Sequence, residues 1–157
     1  MERIWAPWRV EYIRGDKPEG CFLCELPDEK EDARNYILFR GKKNFVIMNR
    51  YPYNPGHIMV ASYRHIATPE DFTREELTEH YEIVQKGLKA IRLAFHPQGF
   101  NLGMNLGKVS GAGVDDHLHT HVVPRWQGDT NFMPLLADTK VISESMESVY
   151  KSLKSKF

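Results

Sequence analysis

The sequence has no long apolar run. Nowhere do about 18 hydrophobic residues stand together, the length that a membrane-spanning helix requires. Met1 to Val10 carries charges and a proline where a signal peptide would need an apolar stretch. A soluble, cytoplasmic protein without a membrane partner is the expectation. Charge of one sign is missing as well: 21 basic side chains balance 21 acidic ones, so no bulk field draws the chain to nucleic acid. A small phosphate pocket is still compatible with that balance, whereas a nucleic-acid partner is not expected. Cysteine is scarce. Cys21 and Cys24 are the only two, and three positions apart they cannot staple distant segments. In a reducing compartment such a pair reads as a metal knuckle or a redox pair. Internal repeats and low-complexity tracts are absent too, and 157 residues suffice for one core but not comfortably for two. Residues 1–157 therefore read as a single domain, in which 1–20 form an aromatic arm bearing Trp5, Trp8 and Tyr12.

What is present follows a regular order. The acidic run from Asp28 to Asp32 reads as a solvated loop. Tyr36 to Phe39 and Phe45 to Met48 are short apolar runs joined by Arg-Gly-Lys-Lys, the pattern of a hairpin. Asn49 to Gly56 holds two prolines and a glycine and must interrupt the sheet. His57 to Ser62 resumes as a buried strand, and His65 falls just past its end. Thr73 to His96 carries the strongest helix signal: Thr73 and Glu76 have capping-box spacing, and Leu77, Tyr81, Val84, Leu88, Ile91 and Phe95 repeat at four-three intervals. Pro97 and Gly99 end it. At roughly 36 Å this helix is longer than one small core needs, so part of its stripe is expected to pair with a second copy, giving a homodimer. His80 and His96 on this helix read as exposed or capping. Phe100 to Leu106 alternates apolar residues against Asn101, Gly103 and Asn105, a strand with one small, polar face. A closing helix from Ile142, capped by Ser143, completes an α+β chain of about five antiparallel strands with one long and one short helix.

The chemistry concentrates in Asp115 to Trp126. His117, His119 and His121 lie at alternate positions, so on a strand they share one face, about 6 to 7 Å apart at their bases. On a helix the same spacing would splay them by about 200°. A buried strand has little reason to present three titratable rings on one face unless a ligand occupies it. Two chemistries suit them: zinc binding by all three, or nucleophilic catalysis by one imidazole with its neighbours as donors.

His-Leu-His-Thr-His-Val-Val fits the histidine-triad pattern, and the chain resembles the histidine triad (HIT) superfamily in its fragile-histidine-triad-like branch. Asn49 through Pro55-Gly56-His57, the run Asn105-Leu106-Gly107 to Gly111-Ala112-Gly113-Val114, and Pro124-Arg125-Trp126 to Asn131-Phe132 are similar to the bacterial diadenosine tetraphosphate phosphorylases and hydrolases of that branch. The resemblance runs from Trp5 to the last helix.

The resemblance implies a HIT-like fold and cleavage of dinucleoside polyphosphates, diadenosine tetraphosphate or triphosphate, through a nucleotidyl-histidine intermediate resolved by water or phosphate. His119 would be the nucleophile, while His121 and His57 would donate to phosphate oxygens and His117 would complete the catalytic set. Asn49 would bind a ribose hydroxyl. Asn105 and the backbone of Gly111, Gly113 and Val114 would hold phosphates, and Trp126 would either stack on the second nucleoside or pack. Many relatives carry glutamine and serine or threonine where this chain has Gly113 and Val114, so the loop must act through its backbone or with Lys108 and Ser110. Arg125 would hold structure. Cys21, Cys24, His65 and His117 would bind a structural zinc ion, a closed Cys2His2 set. No organic cofactor is implied. The competing readings are a nucleoside phosphoramidate or adenylate hydrolase and a nucleotide-binding signalling module.

Overall fold

The sheet is built so that the histidine strand is interior. The computed structural model describes residues 20–110, 116–129 and 143–157; most of the aromatic arm and the loop positions Gly111, Gly113 and Val114 lie outside them. The elements in order are α1 (Phe22–Asp28), α2 (Asp32–Asn35), β1 (Ile37–Arg40), β2 (Asn44–Met48), β3 (Ile58–Ser62), α3 (Arg74–Phe95), β4 (Gly99–Met104), β5 (His119–Arg125) and α4 (Met146–Lys154). The strands form one antiparallel sheet in the order β1-β2-β3-β5-β4. The long helix carries the chain from β3 to the far edge, and β5 then returns between them.

Each face of the sheet is covered differently. On one face α3 and α4 close a core of Val46, Ile58, Val60, Val84, Ile91, Val122, Val149 and Leu153. On the other, α1 packs over Ile37, Phe45, Ile47, Met59 and Ala61 through Leu23 and Leu26. That second cluster draws no residue from β4 or β5, so among the described residues the histidine end of this face is left open.

The acidic run is largely the exposed stretch expected, Asp28 to Glu31 lying at the surface between two short helices, but the segment before it is helical. Phe22, Leu23 and Leu26 recur at helical spacing and need cover, and Cys21 opens the helix with its carbonyl accepting the Cys24 and Glu25 N–H groups. Asp32 is tied to Arg40. Two short helices thus join the long one and the closing one. The closing helix starts later than expected, with Ser145 rather than Ser143 as its cap, its hydroxyl accepting the Ser148 N–H.

The capping box of α3 is present in both halves, Thr73 Oγ1 accepting from Glu76 N–H and the Glu76 carboxylate from Thr73 N–H. The buried face is rotated from the expected stripe. Glu76, His80, Ile83, Val84, Gly87, Ala90 and Ile91 face the sheet, whereas Leu77 and Tyr81 are exposed. Gly87 explains part of the rotation: a Cβ there would stand 2.8 Å from Ile58 Cδ1, so helix and sheet approach where the side chain is missing. His96 is the left-handed C-cap, as a capping role requires.

His80 is the larger correction, because it is fully buried rather than exposed. The Asn44 amide donates to Glu76 O and the Glu79 carboxylate, which turns its oxygen toward His80. His80 Nδ1–H therefore donates to Asn44 Oδ1 at 3.0 Å, and Nε2 accepts the Thr120 hydroxyl at 2.7 Å. Thr120 sits between His119 and His121, so this polar contact pins the back of β5 to α3. Apolar periodicity does not see it.

Burial pushes the His80 pKa down to about 4. The unfolded chain titrates near 6.5, so the folded state binds fewer protons between those values, and the stability held above pH 6.5 is lost as pH falls toward 4. The loss expected from this side chain is on the order of 3 kcal/mol. Urea unfolding from neutral pH down to about pH 4 should show a steeper loss for the native chain than for His80→Gln; equal loss in both would contradict the assignment.

Candidate active site and metal cluster

The site begins with strand register. In β5, His119 lies opposite Ala61 of β3, and His121 lies opposite Met59 of β3 and Gly103 of β4. The two rings share the open face and meet edge-on, with centroids 4.8 Å apart. Gly103 contributes no side chain beside His121, and among the described residues nothing lies within 4 Å of where its Cβ would be. A cavity of about 400 Å³ fills that space, bounded by Tyr53, Asn101, Gly103, Asn105, His121 and Arg125 among others.

Backbone partners decide which ring nitrogens carry protons. His119 Nδ1 lies 2.8 Å from the His117 carbonyl, which can only accept, so Nδ1 holds the hydrogen and Nε2 keeps the lone pair. Burial lowers the His119 pKa, partly offset by that bond, and keeps the ring neutral and nucleophilic at neutral pH. His57 has the opposite tautomer. Its Nδ1 accepts the Tyr53 N–H at 3.1 Å, so Nε2–H donates to His121 Nδ1 at 2.9 Å. His121 in its neutral form then carries its hydrogen on Nε2.

The turn that sets His57 is legible in Asn54-Pro55-Gly56-His57. His57 N–H closes onto Asn54 O at 3.1 Å, and Gly56 takes φ +82°, the left-handed conformation that a type II turn requires after proline. The Tyr53 ring stacks on His57 at 5.0 Å. His57 and His119 are 1% and 6% exposed and neither is among the residues bounding the cavity, which of these three rings only His121 borders; His57 stands behind it.

His117 is also buried, and its ring is turned toward the cysteines. Its Nε2–H donates to Ser62 O at 2.8 Å, and Nδ1 faces Cys21 Sγ at 3.1 Å and Cys24 Sγ at 3.4 Å. His65 Nδ1 is 3.3 Å from Cys24 Sγ, with its Nε2 3.6 Å from the Asp116 carboxylate. The four ligand atoms all lie within 4.8 Å of one another. Tetrahedral zinc with two sulfur and two nitrogen ligands requires separations of roughly 3.3–3.8 Å, so the donor set fits that ion and the widest separation, at most 4.8 Å, would close by no more than about 1 Å. The contact to Ser62 and the neighbouring Asp116 are the partners that ligating imidazoles usually have. Burial and the adjacent Cys21 push the Cys24 thiol up to about 11, so binding an ion there must expel a proton.

The remaining predicted residues divide. Asn105 lines the cavity beside His121. Asn49 Oδ1 accepts the Tyr51 N–H, a local turn contact. Trp126 lines a second hollow with Phe95 and is not among the residues bounding the cavity beside His121. Arg125 grips the Asp129 carboxylate through two nitrogens and donates to Asn101 Oδ1 at 2.7 Å. Lys108 and Ser110 fall in a single 3-10 turn. Tyr53, Asn54 and Asp129 were not singled out by sequence reasoning; the Asn-Pro-Gly turn ahead of His57 was their available signal.

Comparison with known proteins agrees with this architecture. The HIT domain family model matches residues 30–128. An AP-4-A phosphorylase of Mycobacterium tuberculosis is 36% identical over 98% of this chain and 83% of its own length. The asymmetrical bis(5'-nucleosyl)-tetraphosphatase of Schizosaccharomyces pombe is 31% identical over 71% of this chain and 58% of its own length. Among solved structures, a zinc-bound histidine triad family protein from Mycobacterium smegmatis aligns with TM-score 0.69 at 23% identity, covering 87% of this chain and 92% of that one. A histidine triad nucleotide-binding protein from Sulfolobus tokodaii aligns with TM-score 0.68 at 24% identity, covering 87% and 88%. With its family model matched over most of the sheet and its histidine strand in the interior, this chain belongs to the HIT domain family.

Proposed function

We propose that this chain cleaves dinucleoside polyphosphates, with diadenosine tetraphosphate as the substrate to test first. The observation that carries the reading is the pairing of His119 Nε2, a lone pair, with the proton-bearing Nε2 of His121 on one open sheet face. The near full-length likeness to a phosphorylase of that nucleotide supports the substrate class.

His119 Nε2 attacks an α-phosphorus, forming a P–N bond as the P–O bond to the leaving polyphosphate breaks. His121 Nε2–H donates to the phosphoryl oxygens and the departing oxygen, where preorganised donors act most strongly. His57 holds His121 in that tautomer instead of touching the phosphate. Water or inorganic phosphate then attacks the phosphorus, the P–N bond breaks, and His119 recovers its lone pair. Asn105 borders the path of the phosphates, the backbone of Gly111, Gly113 and Val114 is assigned to the same task, and Asn49 and Trp126 to ribose and base.

Cys21, Cys24, His65 and His117 would hold zinc as a closed structural site, which requires reduced thiols and so a cytoplasmic setting. When bound, that ion supplies a rigid tie between α1, the segment after β3 and the start of β5. The homodimer is proposed from Leu77 and Tyr81, neighbours one turn apart on α3 and both exposed.

Three measurements test these assignments. Diadenosine tetraphosphate should give ADP plus ATP when phosphate is the acceptor, or AMP plus ATP when water is; an intact substrate alongside cleaved phosphoramidates would overturn the substrate class. Metal analysis should find about one zinc ion per chain, lost with a lowered Tm in Cys24→Ser, and a metal-free native protein of equal Tm would contradict the cluster. Sedimentation at micromolar concentration should give a dimer, and a species of 18.3 kDa would exclude it.

A further inference from the structure

On the wall of the cavity that His121 borders lies a polar cluster, Asn54, Arg125 and Asp129, to which the proposed chemistry gives no role. Asp129 is its centre. Its Oδ2 accepts from Arg125 Nε at 2.6 Å, Asn54 Nδ2 at 2.9 Å and Trp126 N–H at 3.2 Å, and its Oδ1 accepts from Arg125 Nη2 at 3.0 Å. The Arg125 guanidinium holds this carboxyl well below the usual carboxylate range, so it is an anion throughout the working pH range.

Asn54 is the joint between this carboxylate and the turn. Its side chain is buried, and its amide donates to Asp129 and to the Pro124 carbonyl at 2.9 Å, so the amide's orientation is fixed from two sides. Its own backbone carbonyl closes the turn by accepting His57 N–H. One residue earlier, the Tyr53 N–H donates to His57 Nδ1. A carboxylate at the exit of β5 thus fixes, through one buried amide, the backbone hydrogen that selects the His57 tautomer.

We propose that Asp129 and Asn54 are positioning residues that hold the Tyr53 N–H on His57, and through His57 keep the His121 proton on the nitrogen facing the substrate. The inference rests on the donor role given to His121 above. Geometry supports a specific coupling in place of general packing. The contacts run in sequence from Asp129 to Asn54, Tyr53, His57 and His121, and each is a directional hydrogen bond with one permitted polarity or a rigid link within a four-residue turn. General acid assistance is typically worth 10²–10⁴-fold, so partial loss of the correct tautomer should cost about 10- to 100-fold in kcat.

Asp129→Asn replaces a carboxylate whose two oxygens accept from Arg125, Asn54 and the Trp126 N–H by an amide with only one accepting oxygen. Asn54→Ala cuts the joint while leaving the Arg125–Asp129 pair in place. Imidazole ¹⁵N spectra of the full-length protein report tautomers directly and need no substrate. In the native chain His57 and His121 should both be protonated on Nε2 and bare on Nδ1. In each variant, with folding confirmed by near-ultraviolet circular dichroism, both tautomers should appear at His121. With diadenosine tetraphosphate, kcat should fall about 10- to 100-fold while KM changes by less than about threefold, and the double variant should be no worse than the poorer single one. Folded variants with native tautomers would overturn the proposal, as would additive losses or a loss confined to KM. If Asp129→Asn does not fold, Asn54→Ala decides alone. If the native protein leaves the nucleotide intact, the substrate assignment fails while the spectra still decide the positioning claim.

Discussion

A backbone carbonyl cannot donate a hydrogen bond and a backbone amide cannot accept one, and this asymmetry governs the histidines of the chain. Ser62 O fixes the proton of His117 on Nε2, His117 O fixes that of His119 on Nδ1, and Tyr53 N–H leaves His57 with its proton on Nε2. Each main-chain contact chooses between two tautomers that differ little in free energy in water, and inside a buried site the wrong choice leaves an unsatisfied polar group costing about 1–3 kcal/mol. His117 is shared between two structures: its ring belongs to the cysteine cluster and its carbonyl orients the neighbouring histidine.

The position of the site follows from what covers the sheet. One face is filled by α3 and α4, and α1 protects only the β1 to β3 part of the other. The histidines emerge where cover ends, against a β4 strand that offers Gly103 and Asn101 in place of large side chains. The back of the same strand is held by Thr120 and His80. A flat sheet face becomes a site because its rear is anchored and, among the described residues, no apolar cluster covers its front.

Much of this was legible in the residues. Alternate histidines before Val-Val gave a strand on which His119 and His121 share a face, Thr73 and Glu76 gave the helix start, and the resemblance to the histidine triad family implied a cluster of Cys21, Cys24, His65 and His117 whose ligand atoms do converge. The failures share a cause. His80, the rotated helix face and Asp129 depend on polar contacts between segments far apart in sequence, which local periodicity cannot report. His117 fits the shared-face motif and His57 the Pro-Gly-His segment, but neither pattern tells in which direction a ring nitrogen finds its partner. The helix Phe22–Asp28 escaped because its apolar spacing is short and becomes a helix face only with cover from the sheet.

The central claim is that His119 Nε2 is the atom that bonds to phosphorus. Rapid acid-free quenching of the protein with diadenosine tetraphosphate in the absence of added phosphate, followed by peptide mass analysis, measures this directly. The account predicts an adenylyl increment on the peptide bearing His119, confined to that imidazole and absent from His119→Ala. An adduct on His121 or His57, or turnover by His119→Ala at the native rate, would contradict it.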